Sequence, residues 1–511
     1  MKALPKHFSG ADAYSAFKKI RNKLRRYFPE EILFFCISKL NEYNRTDISQ
    51  LRQFPPWFLL LLIKWCVIHG DFLSPDRKHL TDKDFAALIN LIHDLNGYVR
   101  LPSHYDTNFL FFRNIAYQQV WFQERNFLRF VRQSLIFGGL TEDHEFRRIF
   151  YDKKGLTIEQ FIDLGFMIFG KFLQNKGPLI EIGWFRLVNS VYPTNLIDHF
   201  LSKLSHDIDS LRAFLTSNES RYRDVSYEFH EQTPLKEYPL LKYQDKYYCY
   251  SKELLFAALN DFIYDSLRGV DPQFFMNKFG SIFESYVNDV LSYSEADFIS
   301  EKDLKQSLTS SKKVVDFLVY DSDSCIFIDA KGVELAFLGM VSHKSEVVED
   351  KSRSSVIKAI AQGYETAANL AANPNTTNLV LNKDRFLLVV TYKDLYLGNG
   401  QDFYQEIAGD KLHQIVEGHG GQKWIPFQHI YFISIDDLEL MIQCAKDSHR
   451  KISDLIRFAV SQDETPINKK LIFRDHIYST CDNVKTPSYL SKEIDRITNN
   501  LARILKSNEN K

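Results

Sequence analysis

The chain has 511 residues, 45% of them hydrophobic and 25% charged, with 64 Lys and Arg set against 65 Asp and Glu. That length suits about two to four domains, and that apolar share is enough for packed cores, which excludes a disordered or fibrous chain. A formal net charge of −1 excludes a global basic field able to gather nucleic acid from a distance, so any such attraction must come from local patches.

In chain order, the first such patch comes early. Lys18, Lys19, Arg21, Lys23, Arg25 and Arg26 fall between Ala13 and Arg26 with no acid among them. On a helix these are candidate nucleic-acid contacts, although a solvated basic face has the same sequence. Trp57 to Ile63 is very apolar, but Lys64 interrupts it and leaves a run too short to span a bilayer, so no membrane partner is expected. Residues 1 to about 220 are expected to be mostly helical, with aromatic-rich periodic stretches at Glu30 to Tyr43, Phe109 to Phe137 and Leu156 to Leu173. In the last, Thr157 and Gln160 are spaced for a capping box. Arg125, Arg129 and Arg132 repeat at helical spacing beside Trp121 and Phe122, as contacts to a backbone or protein partner or as part of a core.

A short hairpin is expected across Tyr238 to Tyr250, turning at Gln244 and Asp245, as the entry to a second half. The polar, charged N-terminus has no signal-peptide core. Cys36, Cys66, Cys249, Cys325, Cys444 and Cys481 are scattered without a C-x-x-C pair. Reduced, mostly buried thiols in a cytoplasmic protein without structural zinc are the expectation.

The chemistry concentrates in the second half. Phe279, Phe283, Tyr286, Val287, Val290 and Leu291 form a stripe at helical spacing, with Glu284 at its edge. Val314 to Tyr320 and Ile326 to Lys331 then read as two strands of a hairpin around Asp321-Ser322-Asp323-Ser324. Each strand carries a carboxylate where a hydrophobe would serve folding better. Asp329 and Lys331 share one strand face, and Asp316 can meet them from the neighbouring strand. Converging buried carboxylates are costly unless a proton or cation neutralises them, and Mg²⁺ prefers such hard oxygens.

Asp316, the tripeptide Asp329-Ala330-Lys331 and the upstream helical Glu284 together resemble the signature of the PD-(D/E)XK, or restriction-endonuclease-like, nuclease superfamily. One departure is Val315, which stands where the family name has proline. Other acid-x-Lys matches, among them Asp76 to Lys78, Asp152 to Lys154, Asp303 to Lys305 and Glu349 to Lys351, follow no apolar strand-like run. The resemblance implies that Asp316, Asp329, the Ala330 carbonyl and Glu284 hold Mg²⁺ or Mn²⁺, and that Lys331 orients or helps deprotonate the attacking water.

Downstream, Ser355 to Leu370 reads as an Ala-rich helix that places Lys358 and Gln362 on one face. In related nucleases a polar residue there approaches the site, so both are candidates for phosphate or water positioning; an ordinary amphipathic face is the plainer reading. The Gln-x-x-x-Tyr signature of one branch of the family is absent, since Thr366 stands four after Gln362. Arg385 to Tyr392 and His429 to Ile435 read as further buried strands, giving a mixed core over residues 279 to 445 with its site at one sheet edge.

The expected fold class is therefore α+β: a mostly α-helical N-terminal domain (1–222), a restriction-endonuclease-like mixed α/β domain (223–445) and a C-terminal helical extension (446–511). The function the resemblance implies is metal-dependent endonucleolytic cleavage of nucleic acid, DNA favoured and RNA, including tRNA, left open. By analogy with similar nucleases the setting is prokaryotic antiviral defence, with a protein trigger or partner on the helical half and a homodimer for two-strand cutting. The alternative is a nucleic-acid- or protein-binding sensor with a catalytically inactive nuclease fold.

Overall fold

The computed structural model describes residues 10–43, 47–98, 102–121, 123, 127–174, 177–219, 228, 231–308, 314–332 and 334–509. The chain is α+β, with a helical N-terminal region and two small mixed sheets. It divides into two compact units: Met1–Leu101 with Gln118–Ser266 and Lys492–Lys511, and Pro102–Tyr117 with Leu267–Ser491. These divisions differ from the expected ones at 222/223 and 445/446: the first unit runs on to Ser266, residues 446–491 pack with the second unit, and the segment from Lys492 packs with the first.

In the first unit, the helices Gly10–Leu24, Pro29–Glu42, Pro56–His69 and Asp82–Asn96 bury one continuous apolar cluster around Phe17, Leu33, Phe58, Trp65 and Phe85. Ser49–His69 is long and apolar enough to cross a membrane by composition, but 67% of its most apolar 18-residue window lies inside the protein, so the core accounts for its hydrophobicity. Lys64, which interrupts that run, is paired with Glu228 at 2.9 Å. The capping box forms: Thr157 N–H donates to Gln160 Oε1 at 3.0 Å and Gln160 N–H to Thr157 Oγ1 at 3.2 Å, opening the helix Ile158–Leu173.

The stretch from Phe109 to Phe137 is not one helix. It contains Asn108–Gln118, Phe127–Gln133 and a π segment Ser134–Gly138, with Phe122 and Arg125 outside the described residues. Arg132 is 1% exposed, which removes it from any surface contact with a partner.

The first unit also holds a small sheet of β1 (Leu179–Ile180), β2 (Ser205–His206), β3 (Leu240–Tyr243) and β4 (Lys246–Cys249) in the order β1-β4-β3-β2. The β3–β4 hairpin turns at Gln244 and Asp245 with φ of 49° and 59°, the left-handed pair that matches strand twist in a two-residue turn. It completes this sheet within the first unit and is not the entry to the second.

The second unit is built on β5 (Phe298–Ser300), β6 (Phe317–Tyr320), β7 (Ser324–Lys331), β8 (Asp384–Thr391) and β9 (Ile430–Ser434), paired in chain order. β5, β6 and β7 form an antiparallel meander, and β7, β8 and β9 run parallel. The β6–β7 turn is held by Asp321, whose Oδ1 accepts the N–H groups of Asp323 and Ser324 at 2.9 and 2.8 Å. β7 is the middle strand, which corrects the expected site at a sheet edge: the three-residue β5, too short to stand out in the sequence, adds a strand beyond β6.

The helix Pro272–Tyr293 starts at the Asp271 cap and buries Phe275, Phe279, Phe283, Tyr286, Val287, Val290 and Leu291. Tyr286 OH donates to Glu439 at 2.6 Å and Tyr293 OH to Gln443 at 2.8 Å, pinning this helix to Ile435–Ser448. Pro102–Tyr117, from the N-terminal part of the chain, belongs to this unit as well. Its Leu110 lies in the same apolar cluster as Val315, Phe327 and Val389, while Arg113 and Asn114 donate to the carbonyls of Met340 and Val341 at 2.8 and 2.6 Å.

Four cysteines are free and buried as expected, but Cys444 and Cys481 are joined in a disulfide with their Cα atoms 6.2 Å apart. The segment after the helix Arg474–Tyr478 returns over the end of Ile435–Ser448. There Arg450 Nη1 donates to Thr480 Oγ1 at 2.8 Å and Lys485 N–H to Asp447 Oδ2 at 2.9 Å.

Candidate active site

The β6–β7 register pairs Phe317 with Ile328, and one step further along it Asp316 stands across from Asp329. Asp316 lies just before β6, and its Oδ2 accepts the N–H of Ala330 at 2.6 Å. Asp329 is fully buried near the C-terminal end of β7, paired in parallel with Val389 of β8. Ligands in α/β sheets gather at such C-terminal strand ends.

Lys331 emerges on the same face as Asp329, and its Nζ lies 2.5 Å from Asp329 Oδ2. Asp329 Oδ1 receives no hydrogen bond. Lys331 Nζ also donates to Gln362 Oε1 at 3.5 Å, and Gln362 Nε2 donates to the carbonyl of Val314 at 3.2 Å. The helix Lys358–Ala372 thus reaches both the lysine and the segment that carries Asp316. Lys358, on the same helix and exposed, acts on Asp329 through its charge.

Glu284 is brought near by close packing. A Cβ on Gly332, the residue after Lys331, would come within 2.9 Å of the Phe279 ring and 3.3 Å of Phe283 Cβ, so only glycine lets this helix approach the end of β7 so closely.

The electrostatics follow from this crowding. Burial, then the charge of Asp329, pushes Asp316 up to about 7, against Lys331 and the Ala330 N–H, which favour its ionised form. Burial also raises Asp329, opposed chiefly by Lys331, and raises Glu284, aided by Glu301. Glu301 escaped the sequence reading. It opens the helix Glu301–Leu308 directly after β5, acts on both Glu284 and Asp329 and pairs with Lys305 at 2.7 Å. With β5 unrecognised, nothing in the sequence distinguished it from an ordinary i,i+4 pair.

Among the described residues no three His, Cys, Asp or Glu side chains gather as a metal-ligand cluster. The site offers two facing carboxylates and the Ala330 carbonyl, with Glu284 alongside. Hard oxygen donors, one fully buried carboxylate oxygen without a donor, and two carboxyls raised by burial fit a divalent hard cation in kind.

The remaining candidates fall elsewhere in the fold. The four acid-x-Lys triplets named above lie in helices or a loop: Asp152 to Lys154 end Glu145–Lys154, Asp303 to Lys305 sit in Glu301–Leu308, Glu349 to Lys351 in Ser345–Ser352, and Asp76 to Lys78 in a loop of the first unit. Lys18, Lys19, Arg21 and Lys23 lie on Gly10–Leu24, and Arg25 and Arg26 on the turn after it, all in the first unit.

No family model, curated protein or solved structure matches this chain.

Proposed function

We propose that the protein is a metal-dependent nuclease that hydrolyses phosphodiester bonds through the Asp316, Asp329 and Lys331 site. The observation that carries this reading is the confrontation of Asp316 and Asp329 across the hairpin, with Asp329 Oδ1 left without a donor. Such a pair is costly to folding and finds its use when a cation joins it. The order of upstream helix, acid before one strand, Asp-x-Lys on the next, then a helix supports the restriction-endonuclease-like resemblance.

Asp316, Asp329 and the Ala330 carbonyl would hold Mg²⁺ or Mn²⁺, with Glu284 alongside. A divalent ion bound there supplies charge neutralisation at a scissile phosphate and acidifies water. Lys331, held between Asp329 and Gln362, orients the attacking water and stabilises charge that grows on the phosphate. Lys358 and Gln362 line the same approach as positioning groups. DNA is the favoured polymer and RNA, including tRNA, the second. The setting we propose is a trigger-activated effector of prokaryotic antiviral defence, acting in the cytoplasm and cutting two strands as a homodimer; it rests on analogy.

The absence of a third clustered ligand among the described residues favours one other reading, a sensor with an inactive nuclease fold. Cleavage assays decide between them. Wild type, Asp316→Ala and Lys331→Ala are incubated with supercoiled plasmid, single-stranded DNA and total RNA in Mg²⁺, Mn²⁺ or EDTA. Metal-dependent cutting that disappears in both variants is expected. Cutting that survives either substitution in a clean preparation overturns the assignment. Inert proteins with no difference in toxicity or phage protection in cells favour the sensor.

A further inference from the structure

We propose that the first unit grips the phosphate backbone of nucleic acid through one basic surface made by Lys18, Lys19, Arg25 and Arg26 together with Lys78. This goes beyond the nuclease reading, since a grip on the polymer is independent of whether the carboxylates cut it.

The helix phase separates core from surface. Ala13, Phe17, Ile20 and Leu24 are buried at 4-3-4 spacing, while Lys18, Lys19, Arg25 and Arg26 are exposed. Lys18 and Arg25 are two turns apart on one face, about 10 Å along the axis. The chain then returns beside this helix. Lys78 N–H donates to the Arg26 carbonyl at 2.9 Å and Phe28 N–H to the Lys78 carbonyl at 3.2 Å, which places the exposed Lys78 next to Arg26.

Three of the six expected nucleic-acid-binding residues are engaged within the protein, Arg25 among them through its Nε, which donates to the His69 carbonyl at 3.4 Å while the side chain stays exposed. Arg21 donates to Tyr14 OH at 3.4 Å, and Lys23 lies 3.9 Å from Asp84. Lys18, Lys19, Arg26 and Lys78 have no ion pair among the described residues. The nearby acids are taken: Asp71 by Arg77, Asp84 by Tyr27 and Thr81, and Glu31 by His79 and the Leu80 N–H. Asp76 on the Lys78 segment and Asp12 in the first turn of the helix are further exposed acids.

Exposed cations on this helix, on the turn after it and on the neighbouring Lys78 segment, in a chain of net charge −1, match a regularly charged polyanion. A membrane surface fits less well, because the apolar face of this helix is already buried in the core and has nothing to insert.

The test is binding in EDTA, with full-length wild type and the quadruple variant Lys18→Gln, Lys19→Gln, Arg25→Gln, Arg26→Gln, after thermal melts show both folded. Probes are a fluorescein-labelled DNA duplex, the same sequence as RNA, and anionic phosphatidylserine vesicles, across a salt series. The variant is expected to bind the duplex tenfold or more weakly at low salt. Its dependence of log Kd on log salt should flatten by roughly 0.9 for each phosphate the variant no longer neutralises. Equal affinity and slope in the two proteins overturn the proposal, as does a weakening confined to vesicles. Cleavage plays no part in the readout, so failure of the nuclease reading would leave the binding difference intact.

Discussion

Asp316 Oδ2 accepts the backbone N–H of Ala330 at 2.6 Å, so the first carboxylate is anchored by the tripeptide that carries the second. That bond alone would stabilise the ionised form. Burial and Asp329 outweigh it, and Asp316 stays protonated up to about 7.

The sign of the resulting pH dependence follows. A carboxyl raised in the folded state keeps a proton that the unfolded chain gives up, so stability falls as pH rises from about 4 to about 7. Asparagine retains an oxygen for the Ala330 N–H without the charge. In EDTA, Asp316→Asn should therefore equal wild type near pH 4 and exceed it at pH 8 by about 2–4 kcal/mol, while cleavage is abolished. Urea unfolding at the two pH values checks this; a variant weaker than wild type at pH 8 contradicts the burial argument.

Lys331 has the opposite character. It is the cation beside the fully buried Asp329, and removing one member of such a pair strands a charge at a cost of about 3–5 kcal/mol. Lys331→Met should lower both stability and activity, so its effect is not confined to rate. Adding Asp329→Asn should restore most of the stability and none of the cleavage. A double-mutant cycle in denaturant measures the coupling, and additive losses would show that the two side chains do not depend on each other.

Divalent cations should raise the melting temperature of the wild type, by about 2.7 kcal/mol of stability at a hundredfold excess over Kd. Protons compete for Asp316, so the gain should be larger at pH 8 than at pH 5.5. Asp329→Asn should abolish it. Differential scanning fluorimetry with Mg²⁺, Mn²⁺ and EDTA reads all three, and an equal shift in the variant would place the ion elsewhere.

Much of the second unit was legible because its signals are local. The β6–β7 hairpin, the stripe that carries Glu284 and the runs that became β8 and β9 each announce themselves by a period or a turn residue. Glu301, β5 and the inclusion of residues 102–117 in the second unit were not legible, since they depend on packing between segments distant in sequence. The basic helix was visible, but the engagement of Arg21 by Tyr14 and of Lys23 by Asp84, and the approach of Lys78, were not. The pairing of Cys444 with Cys481 was hidden for the same reason, being made by a segment that returns across 37 residues.

Val315, which stands where the pattern this sequence resembles has proline, and Thr366, which stands where one branch of that superfamily has tyrosine, meet in the fold. Val315 N–H donates to Thr366 Oγ1 at 3.0 Å, and Thr366 Oγ1 donates in turn to the Gln362 carbonyl at 2.7 Å. Proline has no N–H to give, so a residue with one at position 315 needs an acceptor, and Val315 is fully buried. With Gln362 holding the Val314 carbonyl, the helix Lys358–Ala372 grips the chain just before Asp316 at two points. Thr366→Val keeps the shape but leaves the Val315 N–H without an acceptor, at a cost of about 1–3 kcal/mol, and should loosen Asp316 enough to lower cleavage. Combining it with Val315→Pro removes the orphaned donor together with its acceptor. The double variant should therefore be more stable than Thr366→Val alone, a coupling readable in denaturant midpoints, whereas simple additivity of the two losses would mean that this hydrogen bond does not hold the segment.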